Sequence, residues 1–122
     1  MWNCETSGGN TATHAYILQD DGSILLRNIL QTPHGSFEID ERYHYDVDKA
    51  DWVSRTEDGS YSATASRWLG EKWVFNGFDR DKAVNAEVRM VYTRLADKAF
   101  RRDFQRRENG EWRTFTLETC AR

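Results

Sequence analysis

The 122-residue chain holds one proline, two cysteines and eight glycines. It lacks any run of about 18 apolar residues, which excludes a membrane-spanning helix. With no Gly/Pro-rich or repetitive stretch, collagen-like and low-complexity chains are excluded and nothing reads as a linker. Residues 1–122 are therefore expected to form one domain. No Gly-x-Ser-x-Gly elbow and no phosphate-cradling glycine loop occurs, so neither an elbow-type nucleophile nor a nucleotide site is expected. Metal-ligand spacing is missing too. There is no CxxC, HxH or HxxxH, His34 falls in a turn signal, and His44 lies on the face opposite Tyr43. No metal and no cofactor is expected.

Positive charge is also scarce. Seventeen Lys/Arg face 20 Asp/Glu, a net charge of −3, which argues against a nucleic-acid partner. The shortage is local: residues 1–66 carry 4 Lys/Arg against 11 Asp/Glu, whereas residues 89–113 carry 8 against 4. Complementary faces that meet at a seam are the simple reading, and an anion-binding face is the sharper one.

Aromatic residues are plentiful: 5 Trp, 5 Tyr and 6 Phe, within a globular composition of 39% hydrophobic and 30% charged residues. Such a load calls for a substantial core or a lined pocket. Turn signals recur at Gly8-Gly9-Asn10, Asp20-Asp21-Gly22, Pro33-His34-Gly35, Glu57-Asp58-Gly59 and Asn109-Gly110. Between them the sequence alternates with period two and is rich in β-branched and aromatic residues. Ten strands are expected, over 2–7, 11–19, 24–30, 36–45, 52–56, 61–66, 72–78, 87–93, 99–107 and 112–120. Residues 94–105 also carry a weak helical spacing, but Phe100/Arg102/Phe104 alternate as a strand does.

Ten short antiparallel strands must hide their edges, and closure does so directly. The expected fold is all-β, a single up-and-down antiparallel barrel. An even strand count sets the start of the first strand beside the end of the last, where Cys4 and Cys120 fall. They read as one disulfide joining the ends, the alternative being two unpaired thiols that pack as small hydrophobes. A disulfide persists in oxidising compartments, so a periplasmic or secreted location is expected. Met1 directly before Trp2 fits an initiator that replaces a removed secretion signal.

Alternation also assigns faces. Phe37, Ile39, Glu41, Tyr43 and Tyr45 share the lumen side of their strand. So do His14, Tyr16 and Leu18; Ile24, Leu26 and Asn28; Trp73 and Phe75; Val88, Met90 and Tyr92; and Phe100, Arg102 and Phe104. The last strand is ambiguous, because Trp112, Thr114, Thr116, Glu118 and Cys120 oppose Phe115 and Leu117.

An opening Trp-x-Cys, Glu-x-Tyr-x-Tyr-Asp at Glu41–Asp46, WVFNG at 73–77, VRMVYT at 88–93, FRRDF at 100–104 and a closing Cys-x-Arg resemble small secreted bacterial proteins of the calycin, or lipocalin-like, superfamily. The resemblance covers nearly the whole chain but includes no catalytic signature. The Gly-x-Trp opening of true lipocalins is missing. What it implies is a barrel whose lumen binds small apolar or amphipathic molecules, with a few enzymes among its members.

Glu41 and Arg102 each interrupt an apolar face, so a buried ion pair between them is the simple expectation. The sharper reading makes Glu41 a general base with His14 and Tyr43, in an isomerase, lyase or cyclase. Tyr16, Asn28, Trp73, Phe75, Met90, Tyr92, Arg102 and Phe104 are the expected ligand-binding set. The leading expectation is an exported barrel, monomeric or homodimeric, that binds a small hydrophobic or amphipathic molecule. The remaining alternative is an exported interaction or inhibitor module using the acidic segment Asp46–Asp51 with Trp52.

Overall fold

The computed structural model describes residues 1–79 and 86–122. It holds ten strands: β1 Trp2–Thr6, β2 Thr11–Leu18, β3 Ile24–Thr32, β4 Gly35–Asp46, β5 Asp51–Thr56, β6 Tyr61–Ala65, β7 Lys72–Asp79, β8 Ala86–Ala96, β9 Ala99–Glu108 and β10 Glu111–Ala121. Each pairs antiparallel with the next, and β1 pairs with β10, so the sheet closes into a barrel. The strand limits lie within a few residues of those expected from the turn signals. The ambiguous stretch 94–105 is the end of β8, a turn and part of β9. Among the described residues, no helix is long and apolar enough to cross a membrane.

Local chemistry explains the connections. At Asn109-Gly110, φ is 52° and 79°, and Glu108 faces Glu111 across a two-residue loop. Positive φ at both central positions matches the twist of the flanking strands. At the seam, Cys4 lies directly opposite Cys120 and the two form a disulfide. Gly77 meets a different demand. A Cβ there would strike the carbonyl oxygen of Ser62 and lie 2.6 Å from Cα of Ala63, so β6 and β7 approach too closely for any other residue.

Two irregularities set the faces. Register shifts at Arg94/Ala96 in β8 and at Thr114/Thr116 in β10 each insert one extra residue, Leu95 and Phe115. The second resolves the ambiguous strand. Thr114 pairs with outward Gln105, whereas Thr116, Glu118 and Cys120 share the inward parity of Phe104, Arg102 and Phe100. The buried core then gathers Leu26, Tyr43, Ala63, Ala65, Phe75, Met90 and Tyr92.

Two lumen assignments on β4 need correction. Phe37 and Tyr45 share the parity of Glu41 and Tyr43 but are 51% and 44% exposed, whereas Ile39, of the same parity, lines a cavity at one end of the lumen. At 12 residues, β4 overhangs the packed centre, so only its middle is enclosed. Leu18, at the end of β2, is likewise exposed. The charged segments do not pair across the seam either. Among the described residues, the exposed ion pairs Arg27–Glu38, Arg42–Glu57, Arg107–Glu87 and Arg113–Glu108 stay within one half of the chain. The two halves meet through charge inside the barrel.

Two outcomes check the closure. Denatured, unreduced protein should resist alkylation at both Cys4 and Cys120. Reduction should destabilise the fold by about 4 kcal/mol on the chain-entropy model for a loop this long; alkylation at both thiols without reductant would refute the bridge. Gly77→Ala should destabilise by about 2 kcal/mol or more, read by urea denaturation.

Candidate functional site

Arg102 sits on β9 between Phe100 and Phe104 and is only 1% exposed. A guanidinium buried there is tolerable only if its charge and donors are met. Its Nη1 donates to Oε2 of Glu41 on β4 at 2.7 Å, and its Nη2 donates to Oε1 of Glu118 on β10 at 2.7 Å. The second Glu118 oxygen lies 2.9 Å from Nε2 of His14 on β2. An ionised carboxylate only accepts, so Nε2 carries the proton, leaving Nδ1 4.0 Å from Sγ of Cys120. Burial alone would raise the Glu118 carboxyl, but the Arg102 charge and the His14 hydrogen bond outweigh it and hold the group at about 2. Burial likewise opposes the Arg102 charge, yet Glu41 and its other neighbours push its pKa well above the ordinary value.

Three phenols lie against this network. Tyr43 Oη is 2.7 Å from Tyr92 Oη, which is 2.9 Å from Tyr16 Oη. Arg102 Nη1 donates to Tyr43 and Tyr92 at the longer distances of 3.4 and 3.5 Å. Burial raises all three phenol pKa values, so the groups stay protonated at neutral pH.

Together these side chains form a septum across the lumen, with a cup on either side. One cup, of about 530 Å³, is aromatic: Trp2, Tyr16, Trp68, Trp73, Tyr92 and Phe100 line it, over Tyr43. Trp68 stacks on Trp73 at 5.5 Å. The indole Nε1 of Trp73 is buried without a hydrogen-bond partner. The opposite cup, of about 560 Å³, has Glu41, Arg102, Glu118 and Asn28 beneath walls that include Leu30 and Phe104.

The expected site residues are thus divided. Tyr16, Trp73 and Tyr92 face the aromatic cup, and Asn28, Arg102 and Phe104 face the polar one. Phe75 and Met90 are fully buried in the core and line neither cup. Glu41 lines the polar cup, Tyr43 the aromatic cup, and His14 neither, so the three expected acid/base groups do not converge on one cavity. Glu118 and Trp2 were missed. The parity of Cys120 is a signal for Glu118, two residues before an inward half-cystine. Cys4, His14 and Cys120 bring metal-type donor atoms within 4.8 Å of one another. The sulfurs are joined in the disulfide, however, and lack the thiolate charge that a metal site needs.

No protein-family model matches the chain, and no curated protein matches it.

The buried pair should be strongly coupled. In a double-mutant cycle, Glu41→Gln with Arg102→Met should show a non-additive stability term of about 1 kcal/mol or more, whereas strict additivity would mean the groups do not touch. Acid should expose Glu118. Its folded pKa of about 2 lies below the ordinary 4.5, so its stabilisation is complete above about pH 5 and is lost as pH falls towards 2. The loss is of order 3 kcal/mol, and Glu118→Gln should flatten that limb in urea denaturation series.

Proposed function

We propose that the protein is an exported barrel that binds a small apolar or amphipathic molecule in its aromatic cup. The observation that carries this reading is the cup itself. A cavity of about 530 Å³ is walled by aromatic rings, Trp73 among them, and floored by phenol hydroxyls. Apolar walls with a few placed polar groups are the ordinary composition of a small-molecule site. A closed antiparallel barrel with an internal pocket is compatible with a calycin-like fold. The Cys4–Cys120 bridge supports an oxidising, periplasmic or secreted location.

The alternatives gain less support. An acid/base enzyme needs a free base, but Glu41 and Glu118 are both held by Arg102, and His14 is held by Glu118. An interaction module would present Trp52, yet that ring packs edge-on against Trp73 at 5.8 Å. Asp46 accepts the backbone N–H groups of Asp48 and Lys49 within its own turn.

The affinity has a ceiling. Covering about 300 Å² of apolar ligand surface is worth about 7 kcal/mol before the cost of association, so micromolar binding is expected. Fatty acids, aromatic acids, retinoids and haem should be screened by quenching of intrinsic Trp fluorescence. At least one class should quench, Trp73→Phe should reduce the signal, and Tyr43→Ala should weaken affinity. A panel with no binder would refute the reading.

A further inference from the structure

We infer that the polar cup is a second binding site, built for a molecule with a primary ammonium head and a short apolar body. The septum separates it from the aromatic cup, so the inference stands independently of the ligand proposed there. Its basis is an excess of acceptors at the floor. Glu118 spends both oxygens, one on Arg102 and one on His14. Glu41 gives Oε2 to Arg102, while its Oε1 has no partner among the described residues. Asn28 is 7% exposed and lines the cup, and its Oδ1 is buried with no hydrogen bond. A buried acceptor left unpaired is costly, and a donor from a ligand removes the cost.

The two acceptors are placed to share one head group. In the β3–β4 register Asn28 faces Ile39 and Leu26 faces Glu41, so Asn28 and Glu41 are diagonal neighbours on the lumen face. An ammonium has three donors and no acceptor, which suits such a pair. Charge points the same way. Two carboxylates, Glu41 and Glu118, flank a single guanidinium at the floor. An anionic head would find both terminal nitrogens of Arg102 already committed, and its guanidinium carbon 4.8 Å over the Phe104 ring. Nε of Arg102 is buried without a hydrogen-bond partner. The further cation, Arg106, stacks over Phe115 at 4.8 Å and is not among the residues lining the cup. Leu30, Ile39, Phe104 and Phe115 supply apolar wall for the body of the ligand.

Calorimetry of the full chain at neutral pH with n-octylamine, octanoate and 1-octanol tests this. The amine should bind at least roughly tenfold more tightly than either analogue, as a charge-assisted contact requires. Asn28→Ala, which leaves every ion pair intact, and Glu41→Gln should each weaken the amine by about fivefold or more. Should Glu41→Gln fail to fold, Asn28→Ala carries the test alone. Nuclear Overhauser contacts from the amine should reach Phe104 and Phe115. Octanoate binding as tightly as the amine, an unchanged affinity in Asn28→Ala, or contacts to Trp73 instead would each overturn the inference.

Discussion

A single buried guanidinium organises the interior. Arg102 cannot stay charged among Phe100, Phe104 and Met90 without counter-charge, and it draws Glu41 from β4 and Glu118 from β10 to within 2.7 Å. Glu118 in turn holds His14 on β2, and the phenols of Tyr43 and Tyr92 complete the layer. Five strands thereby meet at one level of the lumen. The acidic first half and the basic second half of the chain are joined here, across the interior, while their surface ion pairs stay local. Replacing Arg102 by an apolar residue would leave the buried Glu41 without its counter-charge and Glu118 with His14 alone, which is why the network is a constraint rather than an ornament of the fold.

The septum also explains how one barrel holds two unlike cavities. A barrel of this size can be filled by its own side chains or left hollow. Here the middle is filled with charge and phenols and both ends stay open. On the β5–β7 side, Ser54, Ala63, Ala65 and Gly77 are small, leaving room for Tyr43 and Phe75 to reach the core. The aromatic cup takes three of the five Trp residues and has phenol hydroxyls at its base, whereas the polar cup has unspent acceptors at its floor. Their chemistry differs because each sees a different side of the same layer.

Much of this architecture is legible in the sequence itself. Asn109-Gly110 and the Asp-Gly turns punctuate strands whose alternation survives in the barrel, and the Glu41–Arg102 pair follows from two charges that each break an apolar face. Other features depended on information that period-two reading lacks. The extra residue at Phe115 flips parity within β10, which hid Glu118 on the same strand as outward Trp112. Phe37 and Tyr45 have the right parity but lie beyond the packed centre, a matter of strand overhang rather than face. The division into two cups depends on which rows of side chains share a level around the closed sheet. That is a property of register between strands distant in sequence, and it separated Glu41 from Tyr43 although they are two residues apart.

Arg102 bridges two carboxylates inside the barrel, and its guanidinium protons report on this directly. In nitrogen-15 spectra of the folded protein at neutral pH, the Arg102 Nη protons should appear as separate resonances, protected from exchange with water and fixed against rotation by Glu41 and Glu118. A single averaged Nη signal in rapid exchange with solvent would contradict the bridge, and with it the septum that divides the lumen.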